Sequence, residues 1–100
     1  MWYAIMGEDA DGSLPQRTAA RTAHLERLKF LQGQGRLLLA GPFPAVDCMD
    51  SDTAGFSGSL IVAEFASLEA AKIWADADPY VTAGVYAKVV VKPFQKVLPT

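Results

Sequence analysis

Histidine and cysteine occur once each in this sequence of 100 residues, and that scarcity removes several classes of function at the outset. One thiol cannot form a disulfide within the chain, so a cross-linked framework is excluded and a reducing compartment is predicted. One imidazole and one thiol among scattered carboxylates cannot build a soft-ligand metal cluster, and no metal site is expected. Without a second histidine, or a serine in a nucleophile elbow, there is no conventional hydrolase array. No apolar run approaches the roughly 18 residues of a membrane span. Lys and Arg number 9 against 11 Asp and Glu, a net charge of −2 with the signs mixed, so no basic stripe is offered to nucleic acid. The opening Met1-Trp2-Tyr3-Ala4-Ile5-Met6 has no basic residues and is cut short by Gly7-Glu8-Asp9. It reads as a first strand and not as an export signal, and the expected location is the cytoplasm.

What is present fits a single domain over residues 1–100, with 51% of residues apolar and 20% charged. A chain of this size buries roughly two-thirds of its unfolded surface, enough for one core. Hydrophobic period switches between 2 and 3.6 along the chain, and the switches mark the elements. Residues 2–7 form a strand and 8–15 a polar loop. From 16 to about 32, apolar or small residues at 20, 24, 25, 28 and 31 predict a helix, closed by Gly33 and Gly35. Residues 36–40 form a leucine strand that Gly41-Pro42-Phe43-Pro44 should stop, because proline cannot donate to a ladder. An acidic loop occupies 45–57 and a third strand 58–65. Ser67 is a helix N-cap, with the helix running to about 77. Asp78-Pro79 starts another short helical turn ending near Gly84. The last strand covers 85–94, with 95–98 as an edge continuation.

The order β-α-β-β-α-β in one domain of this length predicts a four-stranded antiparallel sheet with two helices on one face. The strands are apolar in both registers: Ile61, Ala63 and Phe65 alternate with Leu60 and Val62, and Leu37 and Leu39 with Leu38 and Ala40. Two helices cover one face, so the other needs a second cover, and a second copy of the chain supplies it. A homodimer packed sheet to sheet is expected.

The acidic loop invites and fails a calcium reading, since Asp47, Asp50 and Asp52 lack the spacing and closing glutamate of an EF-hand. Cys48, flanked by carboxylates there, is read as a poor nucleophile with no chemical role. Gly55-Phe56-Ser57-Gly58-Ser59 precedes a strand, whereas phosphate-binding fingerprints follow one and open a helix. No cofactor is therefore implied. The lone His24 falls on the core-facing side of the first helix, where an imidazole is either a satisfied packing residue or the centre of a site.

Six segments taken in order decide between these readings: Arg21-x-x-His24-Leu25; Gly35-Arg36-Leu37-Leu38-Leu39-Ala40-Gly41-Pro42; Gly55-Phe56-x-Gly58-Ser59; Ser67-Leu68-Glu69-Ala70-Ala71; Asp78-Pro79-Tyr80-x-x-Ala83-Gly84-Val85-Tyr86; and Val91-Lys92-Pro93-Phe94. Together they resemble the YciI-like (YCII-related domain) family, over about residues 2–97. The resemblance implies a ferredoxin-like α+β fold paired into a dimeric α/β barrel. It also implies an active site built on a His-Asp dyad, which motif matching places on His24 and Asp78. A carboxylate bonded to one ring nitrogen fixes the tautomer and strengthens the other nitrogen as a base. Asp78 has a second reading as a helix cap, and the two roles are compatible.

Around the dyad, Arg21 sits one helical turn before His24 and either grips an anionic substrate group or pairs with the acidic loop. Ser59 is a pocket hydroxyl or a turn residue. Gly41 and Pro42 shape the backbone beside the cleft, and Tyr80 and Tyr86 are the aromatics expected to line it. Two functions follow. One is a small cofactor-free enzyme of lyase or isomerase type, moving a proton on a small unsaturated substrate. The other is a non-catalytic dimer that binds a small molecule through the same groups. Fold alone does not separate them.

Overall fold

A computed structural model describes residues 1–48 and 54–100. The elements are β1 (Trp2–Asp9), α1 (Leu14–Gly33), β2 (Leu37–Pro44), β3 (Phe56–Glu64), α2 (Leu68–Asp76), α3 (Pro79–Thr82) and β4 (Tyr86–Phe94). The four strands form one antiparallel sheet in the order β2-β3-β1-β4. This is the expected ferredoxin-like α+β arrangement, with the short α3 added where Asp78-Pro79 predicts a helical turn.

Local chemistry sets the element ends. Ser67 accepts a hydrogen bond from the Ala70 N–H at 3.0 Å and starts α2, and Asp78 accepts one from the Tyr80 N–H at 2.9 Å and starts α3. Gly35 and Gly84 follow α1 and α3 with φ of 70° and 77°, a region where other residues are strained. Helix α1 begins two residues earlier than its hydrophobic period indicates, because Pro15 in its first turn has no N–H to leave unpaired.

Strand β2 corrects the sequence reading. Gly41-Pro42-Phe43-Pro44 does not stop it: Pro42 lies opposite Ser59 and Pro44 opposite Phe56. The strand is at the sheet edge, where one side of its backbone has no partner strand and a missing N–H is tolerated; register shifts at Leu37/Leu39 and Phe43/Pro44 absorb the mismatch. Strand β1 likewise runs on to Asp9, past the Gly7 that was read as its end. Strand β3 starts at Phe56, within the segment read as loop. Residues 95–98 do not continue β4, which stops at Phe94. Asp50 and Asp52 of the calcium reading lie outside the described residues.

Alternation along the strands separates two faces. Tyr3, Ile5, Ile61, Ala63 and Phe65 turn to the helices and join Leu28, Leu31, Ala71 and Ala75 in the core. The opposite face carries Trp2, Ala4, Met6, Leu60, Val62, Leu39, Phe43, Val90 and Phe94 together with the charged Glu8, Glu64, Lys88 and Lys92, and Leu39 and Phe43 are nearly half exposed at 47% and 44%. Among the described residues no helix covers this second face. Two glycines allow close packing toward the site end of the sheet. A Cβ on Gly7 would meet the Tyr86 ring at 2.5 Å, and one on Gly58 would collide with the Gly7 carbonyl oxygen. No helix is long and apolar enough to cross a membrane among the described residues.

Candidate functional site

Helix α1 carries Arg17, His24, Leu28 and Leu31 as its buried stripe. Spacings of seven, four and three residues keep these side chains on the face turned to the sheet. Asp78, at the junction of α2 and α3, comes to the same place. His24 Nδ1 and Asp78 Oδ1 are 2.8 Å apart although 54 residues separate them, and the two residues are 5% and 2% exposed. The same carboxylate oxygen accepts the Tyr80 N–H, while Oδ2 accepts from Arg27 at 3.3 Å. Arg27 also donates to the Trp74 carbonyl at 2.8 Å and lies over the Trp74 ring at 4.2 Å, holding α1 against the end of α2.

With its Nδ1 taken by an acceptor, neutral His24 keeps its proton on Nδ1 and its lone pair on Nε2. Nε2 has no protein partner among the described residues, and His24 lines a cleft of about 870 Å³ between α1 and β2. Arg21, Ser59, Tyr80, Gly41 and Pro42 line the same cleft, so the structure brings these sequence-derived candidates together. Tyr86 stands apart: it meets the edge of the Tyr80 ring at 5.6 Å and does not line the cleft. Its hydroxyl is buried without a hydrogen-bond partner among the described residues. Burial pushes the Tyr86 phenol up to about 12, even though Ser59 is near enough to offset part of that effect.

Three residues of the site, Arg17, Asp9 and Arg27, were not singled out in the sequence. Arg17 donates to both oxygens of Asp9, at 2.9 and 2.8 Å, and through the same side chain to the Ser59 hydroxyl at 2.9 Å and the Gly58 carbonyl at 3.2 Å. Burial opposes the Arg17 charge, but the bonded Asp9 outweighs it, so the guanidinium binds its proton more tightly than usual. Arg17 also lies 4.8 Å from the Tyr80 ring centre, and His24 stacks on that ring at 3.9 Å and 9°. Two helical turns, about 10 Å, separate Arg17 from His24 on α1, so a ring touching both lies between them. Burial raises the Tyr80 phenol, with Arg17 and Arg21 opposing the shift. The signal for Arg17 was its place seven residues before His24, on the stripe that carries the core.

The described residues hold no group of three or more His, Cys, Asp or Glu placed to bind a metal ion. What the arrangement offers is one oriented imidazole, two cations, Arg21 and Lys29, that make no hydrogen bond or ion pair among the described residues, and an apolar wall from Leu25, Leu28, Leu37 and Ile61.

The same fold is found in solved structures. The chain superposes on the 5-chloro-2-hydroxyhydroquinone dehydrochlorinase TftG from Burkholderia phenoliruptrix AC1100, in complex with 2,5-dihydroxybenzoquinone, with a TM-score of 0.84 and 26% identity over 95% of this chain and 94% of that one. A mutant of MhuD with two manganese protoporphyrin IX bound per active site matches with a TM-score of 0.50 and 20% identity, over 100% and 98% of the two chains, which shows a shared fold alone. Among relatives by sequence, Protein YciI of Escherichia coli O6:H1 is 60% identical over 97 residues, covering 97% of this chain and 99% of the relative. An uncharacterized protein of Haemophilus influenzae is 55% identical with the same coverage. The sequence pattern of the YCII-related domain matches residues 1–95, and with relatives this similar over nearly their whole length, the chain belongs to the YCII-related domain family.

Proposed function

We propose that the protein is a small cofactor-free enzyme in which His24, oriented by Asp78, removes a proton from a small unsaturated organic substrate bound in the cleft between α1 and β2. The observation that carries this reading is the buried 2.8 Å contact between His24 Nδ1 and Asp78, which leaves Nε2 free for a ligand in a residue that lines the cleft. In the forward step Nε2 takes a proton from an acidic O–H or C–H. The electron pair left behind moves into the conjugated system and either expels a leaving group from a neighbouring carbon or returns to a different carbon as that carbon is protonated. Both outcomes are redox-neutral, the lyase or isomerase chemistry. The positive charge gained by the imidazole is balanced by the Asp78 carboxylate.

The dehydrochlorinase activity of TftG supports the eliminating variant and a hydroxylated ring as substrate. The apolar second face of the sheet supports a homodimer paired through it, as a dimeric barrel. A single cysteine suits the cytoplasm.

The test uses the quinone bound in TftG. 2,5-Dihydroxybenzoquinone titrated into the protein should shift the ring resonances of His24, the only imidazole in the chain. Chloride release from 5-chloro-2-hydroxyhydroquinone should fall by a factor of about 10²–10⁴ in His24→Gln. Equal release by wild type and variant would remove His24 from the chemistry.

A further inference from the structure

Among the described residues, the charged groups that line the cleft beside His24 are of one sign: Arg17, Arg21 and Lys29 line it with His24, and no described aspartate or glutamate does. Among the described carboxylates, Asp9 is matched by Arg17 and Asp78 by His24 and Arg27. Arg21 and Lys29 make no hydrogen bond or ion pair among the described residues, and of the two it is Arg21 that stands three residues before His24, where side chains on a helix share a face. The remaining lining is largely aliphatic, with Leu25, Leu28, Leu37 and Ile61 along the cleft. A neutral apolar ligand would satisfy the leucines and leave the positive potential unused, and a small inorganic anion would do the reverse. An organic anion with a compact apolar body satisfies both.

We infer that the cleft selects organic monoanions, with the Arg21 guanidinium taking an ionised acidic oxygen of the ligand while its carbon skeleton lies on the leucine wall beside His24. This rests on the proposed reading that the His24 cleft is the ligand site, and it adds the substrate's charge state and the residue that reads it. Guanidinium is suited to the task because its planar donors meet a carboxylate in a paired, fixed geometry that an ammonium lacks. The anchor also orients the ligand. A ring held by its acidic oxygen at Arg21 presents an adjacent position one helical turn further along α1, where Nε2 of His24 lies.

The experiment compares benzoate with benzamide, two probes of nearly equal shape that differ in charge, by following the amide and imidazole resonances of the labelled protein. Benzoate should bind at least about tenfold more tightly, with shifts centred on Arg21, His24, Leu25 and Leu28. Arg21→Gln should abolish the preference, and Arg21→Lys should restore only part of it. Equal binding of the two probes, a preference that survives Arg21→Gln, or no binding of either at tens of millimolar would each overturn the inference. His24→Gln separates this from the catalytic reading. It should stop turnover yet keep the preference for benzoate, so unchanged turnover with intact charge selection counts against the catalytic proposal alone.

Discussion

The imidazole of His24 and the ring of Tyr80 lie face to face, 3.9 Å between centroids and 9° from parallel, while the Tyr80 N–H and His24 Nδ1 meet the same Asp78 oxygen. The ring plane of His24 is thus set by stacking and its tautomer by the carboxylate. Orientation and proton placement come from different residues, which makes them separable by mutation.

Asp78→Asn is the substitution that separates them. Asparagine also caps helices well, so α3 should form and the protein should stay folded. Its amide, unlike a carboxylate, is able to donate as well as accept, so the ring loses its fixed tautomer. The nitrogen spectrum of the single imidazole should show protonated Nδ1 in the neutral wild type and a mixture in Asp78→Asn. Matching spectra would mean that Asp78 does not hold the proton at Nδ1.

Arg17 and Asp9 form a buried pair, with side chains 6% and 5% exposed. Arg17→Met strands the Asp9 carboxylate and should cost about 3–5 kcal/mol in chemical denaturation. Adding Asp9→Leu should recover much of that loss, because the stranded charge goes with it. A double variant as unstable as the sum of the two single ones would show that the pair is not coupled.

Tyr86 gives the protein an alkaline limit. Its phenol, raised by burial to about 12 from a usual value of 10, keeps its proton in the folded state after the unfolded chain has lost it. The contribution to stability is whole below about 10 and is lost as pH rises from there through about 12. Tyr86→Phe should flatten that decline. It also removes a buried hydroxyl that has no hydrogen-bond partner among the described residues, so at neutral pH it should be neutral or stabilising by about 1 kcal/mol. Thermal melts of both proteins across the alkaline range check the two statements together.

The paired-sheet dimer rests on the apolar second face, and Leu39 and Phe43 are its most open large residues. Sedimentation equilibrium at micromolar concentration should give twice the chain mass. Leu39→Glu with Phe43→Lys should give a folded monomer, because buried unmatched charge is costly at the centre of an interface. A wild-type monomer would end the proposal.

Gly58 allows β3 to approach β1, since any Cβ there runs into the Gly7 carbonyl, which is backbone and cannot rotate aside. Gly58→Ala should destabilise by more than about 3 kcal/mol, whereas alanine at Gly41, where the space is open, should change stability by less than about 1 kcal/mol.

The caps at Ser67 and Asp78 were legible because each is a local signal, a side-chain oxygen followed by helix-forming residues. The extent of β2 was not, since whether proline ends a strand depends on which side of the strand lies unpaired, and that is decided by sheet order. His24 was visible as an odd residue on an apolar stripe, but its partner 54 residues away emerged only from likeness to a family. Arg17 escaped attention because a buried arginine looks like a break in the apolar pattern; Asp9, which makes its burial possible, comes from another element.

Asp78 is both the cap of α3 and the hydrogen-bond partner of His24, and this ties the lifetime of a four-residue helix to the order of the site. Each time α3 frays, the Tyr80 amide is released to solvent and the carboxylate that orders His24 is free to swing away. Exchange of that single amide proton therefore clocks how often the site comes apart, a slow beat beneath any chemistry it performs.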